Sequence, residues 1–339
     1  ANLSTTARYQ DKQYLFCHVA VVGAGPAGLS AALKAAEGGA SVLLIDEQPE
    51  LGGSLTYHRF AIDGSEVRSE AERLIADVAS HPLIKVLTHA LCNGWFTDHY
   101  LPVIQGDRLF KVRAKSCVLA TGCSEQHVVF RNNDLPGVVL CSALERLLNH
   151  YAVAPQGELV VLAGNDQAWM TALTAAEAGL SVAAVVDLRD EPDDSALLAE
   201  ANSRGMTVHT GATVYTARRD ARSQSLCGVD IHRIDAQGEV GESIAQIDCA
   251  VLAMSAGFMP AYQLACQAGA KLDYDDHRAA FTLSGLPAGL VLAGGVNSIH
   301  SLDAVLADGR NAARAALRCI GMTAEDDEPV GCYVRVNHS

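Results

Sequence analysis

The 339-residue sequence has ten cysteines but no close pair: the nearest two, Cys117 and Cys123, are six residues apart. That spacing excludes a sequence-local redox dithiol, a compact zinc ribbon and an iron–sulfur motif. Most of the cysteines sit in apolar runs, where a free thiol acts as a small hydrophobe. Basic residues are also short: 25 Lys and Arg against 39 Asp and Glu give a formal net charge of −14. A nucleic acid or an anionic membrane would need a basic face, so neither is an expected partner. No apolar run reaches the about 18 residues of a membrane span, so none is expected. The chain starts polar and its first apolar run is strand-length, so no leader is expected, and a reducing, cytoplasmic setting fits the thiols.

Glycine and alanine are plentiful where aromatics, at 5%, are few, which suits a close-packed α/β protein with two domains. The most informative stretch runs from His18 to Gly53. An apolar strand, Val19 to Val22, leads into Gly23, Gly25 and Gly28 with the spacing G-x-G-x-x-G. A small-residue helix from Pro26 to Glu37 and a second strand, Val42 to Ile45, follow. Gly23 allows the tight turn, Gly25 lets a pyrophosphate reach the backbone, and Gly28 lets helix and strand pack closely. Pro26 and Ala27 open the helix, whose unpaired N–H groups favour an anion. Asp46 lies 18 residues beyond Gly28, close to the roughly 20 expected of a ribose-binding carboxylate. A carboxylate there would repel the 2′-phosphate of NADP.

Two further segments extend the pattern. Glu47 is followed by the pair Gly52 and Gly53, and the strand Cys117 to Ala120, after a shorter one at Leu109 to Arg113, ends in Thr121 and Gly122. Both segments resemble the two-dinucleotide-domain proteins of the glutathione-reductase type, where such small-residue turns pass close to the cofactor. The fold class expected is therefore α/β, with two dinucleotide-binding (Rossmann-like) domains, the second inserted in the first. The expected boundaries are an arm at 1–16, a first domain at 17–155 and 250–320, a second at 156–249, and a tail at 321–339.

The second domain echoes the first from Leu159 to Asp187, but its turn keeps only Gly164. Asp166 would repel a pyrophosphate and Trp169 stands where the helix needs a small residue, so this nucleotide site is expected to be lost. The strand Cys249 to Met254 is expected to return the chain to the first domain. The last strand, Gly289 to Ala293, runs into Gly294, Gly295 and Asn297, without the Gly-Asp that holds the ribityl chain in flavin-binding members of the fold. That favours NAD over FAD, which stays the alternative for the same site. No catalytic constellation is legible: His99, His127, His150 and His300 are scattered, His99 reads as structural, and Cys123 has no neighbouring cysteine or base to make it reactive.

From about Ala7 to Leu317 the chain resembles the central, disulfide-reductase-like region of the α subunits of heterotetrameric sarcosine oxidases. The matching text includes HVAVVGAGPAGL, DEQPELGGSL, KVRAKSCVLATG, the loop FRNNDLPGVV joined to SALERLLNHY, and ADGRNAARAAL. The resemblance implies oxidative demethylation of an N-methyl amino acid by a complex. A β subunit would carry the FAD that oxidises the amine, and small subunits would complete the hetero-oligomer. An FMN would lie at an interface, and this chain would hold NAD. Carried over, Gly23, Gly25, Gly28 and Asp46 would bind NAD, with Glu47, Gly52, Gly53, Thr121 and Gly122 close by. The family's α subunits are much longer, so the chain is either a fragment or a shortened relative. Opine oxidase, hydrogen cyanide synthase and proline dehydrogenase subunits share the fold, so the amine stays open. A self-contained FAD- and NADH-dependent reductase and a non-catalytic nucleotide-binding scaffold are the other two readings.

Overall fold

The computed structural model describes residues 11–59, 65–192, 194–235, 237–276 and 280–330. Residues 1–10 of the expected arm and 331–339 of the expected tail, Cys332 among them, lie outside the described residues.

Strand β1 (Asp11–Val22) leads through the glycine turn into helix α1 (Pro26–Glu37), then β2 (Val42–Ile45), helix α2 (Ser65–Ser80) and β3 (Ile84–Leu87). A short β4 (Leu91–Cys92), β5 (Tyr100–Gln105) and the long β6 (Arg108–Leu119) follow. The first sheet has the order β3-β2-β1-β6-β5-β4. Its centre is parallel, and Val42 to Ile45 is buried on both faces, as a strand covered by helices must be.

Two expectations are corrected here. Residues 11–16 are no arm: they extend β1 and pair in register with Arg108 to Arg113. Their alternating polar and apolar text suits a strand with one wet face, with Tyr14 and Phe16 outward and Leu15 against the core. The two strands read at 109–113 and 117–120 are one, because β1 pairs along its whole length and carries the chain through Ala114 to Ser116.

After β7 (Cys123–Glu125) come β8 (Val138–Leu140) and helix α3 (Cys141–Glu145), which widens into a π-type turn at Arg146–His150. Then β9 (Leu159–Ala163), helix α4 (Asp166–Glu177), β10 (Val182–Asp187), helix α5 (Ser195–Ser203) and β11 (Val208–His209) follow. An antiparallel sheet of β12 (Ala212–Arg219), β13 (Leu226–Ile234) and β14 (Val240–Ile247) precedes β15 (Val251–Ser255). The second parallel sheet has the order β11-β10-β9-β15-β8. So β15, expected to rejoin the first sheet, lies in the second, between β9 and β8. A fully buried apolar run carries no periodicity that could name its sheet. The return is made by β16 (Phe258–Pro260), which pairs antiparallel with β7. Helix α6 (Gln263–Gln267), the hairpin β17 (Lys271–Asp275) and β18 (Ala280–Ser284), and β19 (Leu290–Leu292) lead to helix α7 (Leu302–Cys319). Strand β19 pairs with the second half of β6.

Helices α1 and α7 cover one face of the first sheet and touch through small residues. A Cβ on Gly309 would stand 2.3 Å from the carbonyl oxygen of Ala27. The segment after α7, expected as part of a tail, is pinned back onto that helix as far as it is described. Arg310, Arg314 and Arg318, one turn apart, meet Glu328, Glu325 and Asp327. Arg314 is itself buried and reaches Glu328 at 2.7 Å. The Arg310 hydrogen bonds pull the Glu328 carboxyl down to about 2, with burial opposing them and Arg314 adding to them. A carboxyl lowered by folding stabilises above its ordinary range and loses that contribution as pH falls towards 2. Acidification to about pH 3, or Glu328→Gln, is therefore expected to loosen residues 323–330. Amide exchange of that segment should rise while global stability moves by only about 1 kcal/mol, as for partly exposed pairs.

Candidate functional site

The turn after β1 is built by steric exclusion. Gly23 has φ +101°, and a Cβ there would lie 2.2 Å from the Ala120 carbonyl oxygen. A Cβ on Gly28 would lie 1.8 Å from the Gly23 carbonyl oxygen, so helix α1 sits directly on the turn. Gly25 differs: it has an extended backbone and nothing within 4 Å of a Cβ position. It faces open space at the start of α1, whose first turn has no side-chain cap and no acidic residue. The N–H groups there are left for an anion.

Asp46 stands across this turn. Its carboxylate accepts the backbone N–H of Ala24 through one oxygen and that of Gln48, at 2.7 Å, through the other. Those bonds fix its position, and each carboxylate oxygen keeps a lone pair for a further donor. Glu47 is exposed beside it. Gly52 and Gly53 have φ +119° and +53°, and a Cβ on Gly53 would touch the Cα of Gly25 at 2.8 Å. Only a glycine pair lets this loop close on the first turn.

The site is one cleft of about 1320 Å³ lined from both the mixed first sheet and the parallel second sheet. Gly23, Gly25, Pro26, Ala27, Asp46, Glu47, Gly53, Thr121, Gly122 and Gly295 line it. Gly28, Gly52 and Gly294 lie behind that surface and support it. Gly294 has φ +75°, and a Cβ there would strike Ala27 at 2.6 Å. Buried Asp308 of α7 holds this last turn by accepting the Gly294 N–H at 2.7 Å. Thr121 donates to the Ala261 carbonyl at 2.9 Å, where β7 and β16 cross between the sheets.

At the turn after β9, Asn165, Asp166 and Gln167 also line the cleft, but the polar groups there are paired with one another. Asn165 caps α4 by accepting the Ala168 N–H. Trp169, fully buried, donates its indole N–H to Asp187, whose carboxylate is also fully buried. Arg189 reaches Asp187 and Asp166, both at 2.9 Å. The strand-end carboxylate that would face a ribose is thus turned inward and neutralised.

The sequence did not mark the polar cluster around Tyr57, His58 and Arg146, which also line the cleft. His58, six residues after Gly52, pairs through Nδ1 with Glu145, which is completely buried. Glu145 also accepts from Thr171 at 2.6 Å and Gln167 at 2.9 Å. Next to it, Arg146 lies over the Tyr57 ring at 4.1 Å and donates to its hydroxyl at 3.0 Å. His58 and Glu145 are 87 residues apart. Within SALERLLNHY, Glu145 reads as an ordinary charge on a helix, so no local signal could have joined them.

Of the histidines weighed from sequence, His300 lines the cleft against Phe258, and burial pushes it down to about 4, so it is neutral. His99 packs beside Trp95 and lies outside the cleft lining. Burial, with Glu125 nearby, pushes the Cys123 thiol up to about 12, so no thiolate forms at neutral pH. Among the described residues no acidic, histidine and cysteine cluster could hold a metal, and no helix is long and apolar enough to cross a membrane.

A family model described as pyridine nucleotide-disulphide oxidoreductase matches residues 17–280. The sarcosine oxidase α subunit of Rhizobium meliloti (strain 1021) is 32% identical over 92% of this chain and 31% of its own length. That of Corynebacterium sp. (strain P-1) is 33% identical over 94% of the chain and 34% of its own length. The chain thus spans about a third of these relatives. The thioredoxin reductase of Lactococcus lactis has the same fold, with a TM-score of 0.70 at 17% identity over 90% of this chain and 99% of its own.

Proposed function

The chain belongs to the pyridine nucleotide-disulphide oxidoreductase family and is a homologue of sarcosine oxidase α subunits, and from that premise we propose that it is the NAD-binding part of a multi-subunit, flavin-dependent amine oxidase. A partner subunit carries the FAD that oxidises the amine, with sarcosine as the substrate the relatives' name suggests. An FMN at a subunit interface belongs to the same reading. We read the mixed first sheet and the parallel second sheet as two dinucleotide-binding units, the second inserted in the first.

The observation that carries this reading is the contrast between the two turns. Gly25 opens onto the cleft at the start of α1 with Asp46 across from it, whereas at the second turn Asp166 faces the cleft and the strand-end carboxylate Asp187 is taken up by Trp169 and Arg189. The residues fit one dinucleotide. Ala27 and Gly28 at the start of α1 take the pyrophosphate, and Asp46 and Glu47 take the adenosine ribose. The loops at Gly52 and Gly53, Thr121 and Gly122, and Gly294 and Gly295 admit its length without side-chain obstruction. When bound, NAD supplies a hydride-accepting ring. This chain's own part is to bind and orient it.

Denaturing the purified protein and identifying the released nucleotide by absorbance and mass tests the reading. NAD at about one per chain is expected. FAD instead would favour a self-contained reductase of the thioredoxin reductase kind, and an empty protein would leave a scaffold. Asp46→Ala should weaken NAD binding about tenfold, the worth of one charge-assisted hydrogen bond. Isothermal titration of nucleotide-stripped protein measures that loss.

A further inference from the structure

We propose that the part of the cleft lined by Arg146 and Tyr57 is a recognition site for a small carboxylate ligand. Arg146 lines the cleft, is exposed, and has no carboxylate partner among the described residues. It is nevertheless fixed, by the Tyr57 ring below it and by its bond to the Tyr57 hydroxyl. Tyr57 is fixed in turn: its carbonyl accepts from Asn149 at 2.7 Å, and the next residue, His58, is tied to Glu145. Since the Tyr57 oxygen accepts from Arg146, its own O–H is left to donate. Burial, chiefly, raises the phenol above its ordinary value, so it stays protonated through the neutral range.

The result is a guanidinium fork and a phenolic donor held side by side before a ligand arrives. Planar, paired donors match a carboxylate, and pre-ordering removes much of the entropic cost of binding. Charge selects a monoanion over a phosphate dianion. The neighbouring acids are already bonded: Glu145, buried behind the lining, to Thr171, Gln167 and His58, and Glu125, which lines the cleft, to the Ser142 N–H. Among the described residues, a guanidinium without a carboxylate partner beside two acidic side chains suits a ligand of one negative charge.

The test is run without nucleotide, so its outcome is separate from whether NAD lies on the first turn. Nucleotide-stripped full-length protein is treated with phenylglyoxal, and labelling of Arg146 is followed by peptide mass mapping, with exposed Arg108 and Arg113 as internal references. Acetate should protect Arg146 saturably, by about fivefold or more, while chloride at equal ionic strength and inorganic phosphate protect little. Line broadening of ¹³C-acetate should weaken about three- to tenfold in Tyr57→Phe, which keeps the ring under Arg146 and removes one hydrogen bond. Arg146→Lys should lose the broadening. Equal protection by phosphate would overturn the carboxylate assignment. No saturable protection, or broadening unchanged in Arg146→Lys, would overturn the site, and neither result touches the nucleotide reading.

Discussion

Gly25→Val is expected to leave the fold intact and remove nucleotide binding. No atom lies within 4 Å of the Cβ position, and the backbone there, φ −71° and ψ −176°, is one a β-branched residue adopts freely. The added methyl groups would occupy the space through which a pyrophosphate meets the α1 N–H groups. Loss of that approach should weaken binding about 100-fold, roughly 2.7 kcal/mol. The neighbouring glycines provide the contrast. Gly23→Ala and Gly28→Ala each drive a Cβ into a backbone oxygen, at 2.2 and 1.8 Å, so these chains should fold poorly or melt many degrees lower. Thermal melts, together with nucleotide counted per chain, separate the two behaviours. A Gly25→Val protein that folds and still carries nucleotide would mean that the ligand does not approach this turn, and the proposed function would fall with it.

That one glycine faces open space and two are required by close backbone contact follows from the motif itself, which is why the geometry of this turn could be read from the sequence. Strand, turn, helix and acidic strand end are all local, and each is specified by a few adjacent residues. The helix over Pro26–Glu37 and the strands Val42–Ile45 and Ile84–Leu87 lie where the apolar pattern puts them. What escaped was long-range. Strand β15 is apolar on both faces and carries nothing to say which sheet it joins. The cluster at His58, Glu145 and Arg146 forms only because the loop after Gly53 crosses to the second sheet's helices. There Tyr57 meets Asn149, and Arg59 pairs with Glu177. Polar residues in a loop and on a short helix read as solvated until tertiary packing buries them.

A large change in stability is also expected at the second turn. Asp187 is fully buried, and Arg189, with 7% of its side chain exposed, is its counter-charge. Burial works against the charge of Arg189, yet its hydrogen bonds to Asp187 and the charges of Asp187 and Asp166 hold its pKa above the ordinary value. Arg189→Leu would leave the Asp187 carboxylate in the interior with the Trp169 indole and a backbone N–H as donors. An orphaned buried charge of this kind costs about 3–5 kcal/mol, against about 0–1 kcal/mol for a surface pair. Replacing both residues, as Asp187→Leu with Arg189→Leu, removes the charge along with its partner and should recover part of the loss, the Trp169 indole and a backbone N–H being left without their acceptor. Urea unfolding of the two variants measures the difference. If Arg189→Leu lost less than about 1 kcal/mol, the pair would be a solvated contact, not an interior plug. The second turn would then be open to a nucleotide after all, and titration of NAD into the stripped protein would read two sites per chain where one is expected.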